Sequence, residues 1–509
     1  MSWLTRILKK FGKSSAPVPA PRQPEPPKTS TQKVPSARQV SKQVVIGLDF
    51  GTSGTKVVVR DLGPNIARPF LFEQKLTDGP AYILPSVVFV RNERLYFGHI
   101  PAGGGSPSST FRSFKICLVC EAGKISCRGC ENGNGILTRG IFRLPSEGAE
   151  VEVTATQLVA GFLAHAIGVV KRSLQEQFGP NTRIDSWINM GAPVDHEEDS
   201  SLRDEFIRAL YIGERIRSSI HQGIGLREFL AIYQSAAQET VPPPEERTVF
   251  VHPETAVGLM SFIRSPQARD GLYALVDVGA GTTDISFCRI TRPVVTDAGS
   301  WNSDISDVMA FYGASTTTIG SDEIDRTIAA LLSEKTKTAS SSALILKAKQ
   351  LKETATPSAT ITCSCAGKQI TIQPAELRKQ VREPIDTMLS TYKKTNYKAF
   401  LKEPIQSRWR SYSIFLLGGG SRFNPVHEAF AKSRPSHVNE SIGVERLSCP
   451  ADLDCAKEVK AQFDIIAIAY GLSFPPLDFP RIFRPREVEP LRFQNQREQR
   501  PDRDELYPM

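Results

Sequence analysis

The sequence predicts an α/β protein built as two lobes, and three observations carry that prediction. Two stretches of one design, Val44–Arg60 (VVIGLDFGTSGTKVVVR) and Leu275–Cys288 (LVDVGAGTTDISFC), each run as an apolar strand, a glycine-rich turn and a second strand. Around them, segments with apolar residues at helical spacing, such as Thr154 to Phe178, alternate with short apolar runs such as Thr248 to Val251. Finally, 509 residues exceed what one hydrophobic core usually serves.

In the first stretch Val44, Val45 and Ile46 lead to Asp49 and then to the turn. Gly51 and Gly54 let backbone N–H groups come close to an anion, Thr52, Ser53 and Thr55 add hydroxyl donors, and Asp49 at the strand end is placed to hold a metal ion through water. An ordinary glycine-rich hairpin has the same residues. The second stretch repeats the device with Asp277, Gly279-Ala280-Gly281-Thr282-Thr283 and Asp284. Two such clamps facing each other would grip one phosphate chain, each with a carboxylate for Mg²⁺. A third stretch, Ile414 to Arg422, runs as a buried strand into Gly418, Gly419, Gly420, Ser421 and Arg422. There a flat adenine ring finds backbone without side chains and a guanidinium plane.

In order and spacing, GLDFGTSGT, DVGAGTTD and LLGGGSR resemble the two phosphate motifs and the adenosine motif of the actin/Hsp70/sugar-kinase ATPase superfamily. Sugar kinases share the GTSGTK turn, and shorter stretches favour the Hsp70 branch. Leu84 to Phe89 is similar to the TPSxVxF strand of Hsp70 proteins, Phe97-Gly98 to their IG step, and Phe111 to Lys115 to the segment bearing their catalytic lysine. His252 to Gly258 is similar to EPTAAA with the proline placed before the glutamate, Gly320 to Asp325 to GGEDFD, and Ala469 to Leu472 to AYGAA.

The resemblance implies a two-lobed actin-like ATPase fold: duplicated ribonuclease-H-like lobes, two outer subdomains, and ATP or ADP with Mg²⁺ in the cleft. It implies that Asp49 and Asp277 organise Mg²⁺ and the attacking water, and that Lys115 stabilises the transferring group. Glu254 would hold a water near the metal. Gly51, Thr52, Ser53, Gly279, Gly281, Thr282 and Thr283 would cradle the phosphates, and Gly418, Gly419, Gly420 and Arg422 would bind adenosine. Ala343 to Lys352 resembles the helix that supplies adenine-contacting charges, with Lys349 as its candidate beside the reading of a plain solvated lysine face. The implied organisation is a tail over 1–43, a first lobe over 44–270, a second over 271–474 with its outer subdomain near Asp325 to Tyr397, and a proline- and arginine-rich tail over 475–509. After Phe474 nothing resembles an Hsp70 substrate-binding domain, so ordinary peptide chaperoning is not expected.

Charge is unevenly placed. Residues 1–43 hold nine Lys/Arg against Glu25, which accounts for +8 of the net +9. The remaining chain shows no nucleic-acid footprint. Within the tail, Trp3, Leu4, Ile7, Leu8 and Phe11 fall at helical spacing with Arg6, Lys9, Lys10 and Lys13 on the other face. Three readings stand for residues 2–13: an interfacial helix on an anionic membrane, a helix for a partner's groove, and a disordered start. Seven prolines between Ala16 and Lys42 then make a semi-rigid tether.

The region from Glu73 to Glu150 is expected to form an outer subdomain of the first lobe, and it contains a departure from the Hsp70 pattern at 115–135. Cys117-x-x-Cys120 and Cys127-x-x-Cys130 have the knuckle spacing of a thiolate Zn²⁺ site, with an iron–sulfur cluster, redox dithiols and unligated thiols as the competing readings. Nine cysteines, an odd number, and the lack of an export signal favour a reducing cytoplasm, with peripheral membrane contact through residues 2–13 as an addition. Cys363-x-Cys365 and Cys449 with Cys455 would make a further metal site only if the fold brought them together.

Three function classes follow: an ATP-driven conformational switch or chaperone-like regulator acting on a protein partner, an actin-like polymerising ATPase, and a small-molecule kinase. They are ranked in that order, because the kinase needs a catalytic base in a substrate pocket and no such motif is found.

Overall fold

The computed structural model describes residues 40–73, 79–101, 110–121, 136–138, 140–146, 149–193, 200–292, 307–339, 342–354, 360–403, 409, 412–433 and 442–488. The fold is mixed α/β and is dominated by two six-stranded sheets.

The first sheet holds β1 (Ser41–Phe50), β2 (Gly54–Asp61), β3 (Ile66–Pro69), β4 (Arg183–Ala192) and β5 (Val249–Pro253), in the order β5-β4-β1-β2-β3. The second holds β6 (Gly271–Val278), β7 (Thr283–Thr291), β8 (Val308–Thr317), β9 (Ser413–Leu417) and β10 (Gly443–Glu445), in the order β10-β9-β6-β7-β8. Strand senses match as well: in each sheet the first three strands in the chain are antiparallel neighbours and the last two join parallel. Leu84–Pro85 pairs with β2, and Arg481–Phe483 lies parallel to β8.

From Val44 to Phe50 β1 is buried on both faces, as its apolar run demands of a strand covered on both sides. Helix α1 (Phe114–Glu121) and α2 (Ala155–Phe178) pack on this side of the molecule with α3 (Ser200–Ile216). Thr154 caps α2 in a reciprocal capping box with Gln157, and the small residues Ala160, Gly161 and Ala164 bring its buried face close to its neighbours. Two smaller sheets are built from Val87–Arg91, Arg94–Phe97, Thr110–Arg112 and Ile224–Gly225, and from Ile136–Thr138, Ile141–Ser146 and Ala149–Thr154.

Helix α4 (Glu254–Gly258) follows β5 directly. After β8 come α5 (Ser321–Thr336), α6 (Ser342–Thr354), the hairpin Ile361–Cys365/Lys368–Ile372 and α7 (Arg382–Phe400), the last packing on β7 and β8. A separate apolar cluster lies between the sheets around α8 (Phe463–Leu472), which packs on β1, β2, β9 and α4. Asn189 of β4 closes its far end, donating at 2.8 Å to the carbonyls of both Leu472 and Phe474.

One expectation needs correction. The chain does not leave the fold at Phe474: Phe479 stacks on His252 at 4.1 Å between centroids, and Arg481–Phe483 extends the second sheet. The stretch is proline-rich because the edge of a sheet tolerates missing N–H donors, as in a tail. Lys349 is exposed, in keeping with the plain reading, whereas Lys352 is buried and paired with Asp325 at 2.8 Å. Residues 1–39 of the basic tail, residues 2–13 included, lie outside the described residues, as do Cys127 and Cys130, while Lys42 already belongs to β1 and pairs with Asp61 at 3.2 Å.

Candidate functional site

The two glycine turns are related residue by residue. Across the first hairpin Asp49 stands opposite Lys56 and Phe50 opposite Thr55; across the second Asp277 stands opposite Asp284 and Val278 opposite Thr283. Each aspartate therefore ends a central strand at an equivalent position, and the facing partner is a lysine in one hairpin and an aspartate in the other. Lys56 Nζ lies 2.9 Å from Asp49 Oδ2.

Packing holds each turn in place. Ser86, from the Leu84–Phe89 segment, donates to the carbonyl of Gly51 at 2.7 Å and shares a 3.0 Å hydrogen bond with Thr55. In the second turn Gly279 N donates to Thr282 O, and Thr283 Oγ1 donates to Ile319 O at 2.7 Å. Thr52 is buried and Ser53 exposed. The turns meet: a Cβ on Gly281 would fall 2.5 Å from Ile116 Cδ1 and 2.9 Å from Thr52 Cγ2. Any larger residue there would push the two apart.

Beneath the turns is an acidic cluster. Carboxylate oxygens of Glu254, Asp277 and Asp284, all three buried, lie within 4.8 Å of one another. Thr316 Oγ1 at 2.5 Å and Thr282 Oγ1 at 3.3 Å orient Asp284. Lys115, the second residue of α1, reaches Glu254 Oε1 at 2.5 Å, and both side chains are nearly inaccessible. Burial alone would pull the Lys115 ammonium down, but Glu254 and Asp49 outweigh it and leave its pKa raised. Burial also dominates at Asp277, where Glu254, Asp284 and Asp49 add repulsion that Lys56 only partly opposes, and the carboxyl is pushed up to about 8. Without a compensating cation Asp277 therefore keeps its proton near neutrality.

The third motif joins the cluster from β9. Asp277 is in register with Leu417, and Gly418 adopts φ 76° and ψ 158°, a conformation open essentially to glycine alone. A Cβ there would come within 2.4 Å of Asp277 Oδ1. Gly419 faces open space, Gly420 is buried against Val278, and exposed Arg422 is tied to Asp464 at 3.5 Å.

The structure thus brings together Asp49, Lys115, Glu254, Asp277 and Thr282 with the three glycine-bearing turns. To these it adds Lys56, which pairs with Asp49; Asp284, which accepts from Thr282; and Thr316, which donates to Asp284. Asp284 and Lys56 were visible as the last residues of the repeated motif; Thr316 had no signal in the sequence. Cys117 is buried in the core of the first sheet's side, and Cys120 lies one turn later on α1. Cavities of about 230 and 390 Å³ open elsewhere, one against Arg484 and Glu487 and one against α2.

A hard, all-oxygen donor set of this kind suits Mg²⁺ or another hard divalent cation. The raised Asp277 carboxyl and its two buried acidic neighbours fit such an ion, since a cation would remove the repulsion they now share. No family model and no curated protein matches the chain.

Proposed function

We propose that the chain binds ATP with Mg²⁺ between two actin-like lobes and hydrolyses it slowly, as an Hsp70-like switch whose closure acts on a protein partner. The observation that carries this reading is the register equivalence of Asp49 and Asp277 at the ends of two hairpins whose turns touch. The repeated strand order and senses of the two sheets support the duplicated ribonuclease-H-like reading.

Glu254, Asp277 and Asp284 would hold Mg²⁺, with Asp49 alongside. When bound, the ion supplies neutralising charge for phosphoryl oxygens. The chain's own groups do the rest. Backbone N–H groups and hydroxyls of Gly51, Thr52, Ser53, Gly279, Gly281, Thr282 and Thr283 bind the phosphates. Gly418 to Gly420 leave room for the nucleoside, with Arg422 at its edge. Lys115, fixed by Glu254, presents a buried positive charge toward the turns, where charge develops in phosphoryl transfer. Asp284, oriented by Thr316 and Thr282, is placed to accept a hydrogen bond from a water in the cluster. Zn²⁺ on Cys117, Cys120, Cys127 and Cys130 belongs to the same proposal and is read out by metal content.

Hydrolysis assayed with and without Mg²⁺, beside Asp277→Ala, tests the reading. Slow Mg²⁺-dependent turnover that the substitution abolishes is expected. Turnover that survives Asp277→Ala, or that ignores Mg²⁺, contradicts it.

A further inference from the structure

Between β10 and α8 the chain makes an excursion, CPADLDC, that ties the two sheets together. Leu453 forms a parallel bridge with Ala67 of β3, framed by Ala67 N donating to Asp452 O and Asp454 N donating to Ala67 O, each at 2.9 Å. Asp452 lies 2.6 Å from Nη1 of the fully buried Arg60 and accepts from the Tyr470 hydroxyl at 2.8 Å. Asp454 pairs with Arg68 at 2.9 Å. A segment that follows the second sheet's edge strand thus extends the edge of the first sheet.

The flanks of this clamp are cysteines. Leu453 N donates to Pro450 O, a turn that folds the segment back. Cys449 and Cys455 stand on either side of it, half-buried against the same apolar cluster; Cys449 Sγ donates to the Pro450 carbonyl at 3.7 Å, and each thiol acts on the other. In sequence the two were six residues apart with nothing to force contact; the turn supplies it.

We propose that Cys449 and Cys455 form a redox-active dithiol that peroxide closes to a disulfide, locking the clamp that joins the two sheets. One thiolate attacks hydrogen peroxide, the O–O bond breaks, and a sulfenic acid forms as hydroxide leaves and is protonated to water. The second thiolate attacks that sulfur, the S–S bond forms and the S–O bond breaks, releasing a second water. Two thiols are oxidised by two electrons, and one peroxide is reduced to two waters. Burial, which Lys460 partly opposes, holds both thiols above the ordinary cysteine value, so the pair reacts slowly at neutral pH and faster as pH rises. A disulfide here restricts the freedom of the segment in the unfolded chain and of the clamp in the folded one.

Full-length protein treated with hydrogen peroxide, blocked with iodoacetamide and digested with trypsin provides the test, because both cysteines fall in the one peptide Leu447–Lys457. The expected peptide is lighter by two hydrogens than the reduced, unblocked peptide and carries no alkyl group. The oxidised protein should also melt at a higher temperature than the reduced one, a shift reversed by dithiothreitol and absent in Cys455→Ser. Independent alkylation of both cysteines after peroxide, or their separate conversion to sulfinic acids, overturns the dithiol. A disulfide with an unchanged melting temperature overturns the clamp.

Discussion

A Lys115→Met substitution would leave the Glu254 carboxylate buried beside Asp277 and Asp284 without its ammonium partner, which sits at 2.5 Å. Breaking a buried pair in this way costs about 3–5 kcal/mol because the remaining charge is uncompensated. Removing both charges is another matter, since Lys115→Met with Glu254→Leu also relieves repulsion on Asp277. Urea unfolding should therefore show a large loss for the single variant and recovery of most of it in the double variant. Equal losses in both would mean that the pair is not coupled. At this scale the sequence was informative where chemistry is confined to a turn: Asp49, Asp277 and Gly418 follow from carboxylates and glycines at strand ends. Glu254 was harder to place, because a proline before it shifts the motif. The fold resolves this by ending β5 at Pro253 and starting α4 at Glu254, which turns the side chain toward Lys115.

At the scale of elements, α8 is the piece that the two sheets share, and its fit depends on a glycine. A Cβ on Gly471 would fall 1.9 Å from the Val257 carbonyl of α4. Gly471→Ala must push α8 away from the helix that carries Glu254, and overpacking of this kind costs about 1–3 kcal/mol, occasionally more. The expected result is a lower melting temperature together with weaker nucleotide binding. Unchanged values of both would show that α8 does not set the position of α4. Elements with strong local patterns were legible in advance: α2 from its period, β1 from its β-branched run, and the two hairpins from their turns. The strand order was not, because β4 joins β1 across more than a hundred intervening residues, β5 then joins β4 rather than a sequence neighbour, and no local pattern records such pairing. The strand Arg481–Phe483 was missed for a related reason, since three residues among prolines carry no period.

For the molecule as a whole, buried titratable groups set the pH dependence of stability. Burial, with Arg172 and His99 adding to it, lowers His165 to about 3 from its ordinary 6.5. The unfolded chain thus binds one more proton than the folded one between those values. Stability from this group is complete above about pH 6.5 and falls as pH drops, with a limiting slope of about 1.4 kcal/mol per unit. Asp277 acts in the opposite sense, because its raised carboxyl loses stability as pH climbs from the ordinary 3.8 toward about 8. The histidine is isolated by difference: the gap between wild type and His165→Phe, measured by urea unfolding at pH 7 and again at pH 5, should narrow at the lower pH. A constant gap would show that His165 is not held neutral.

If the cluster under the two turns seats Mg²⁺ and nucleotide, calorimetric titration of ATP into the full chain, with Mg²⁺ and with chelator, will register both. Binding that requires Mg²⁺ and is weakened at least tenfold by Asp277→Asn, about 1.4 kcal/mol or more, is the expected result. Absence of ATP binding under both conditions, or binding indifferent to Mg²⁺ and to Asp277, would contradict the account.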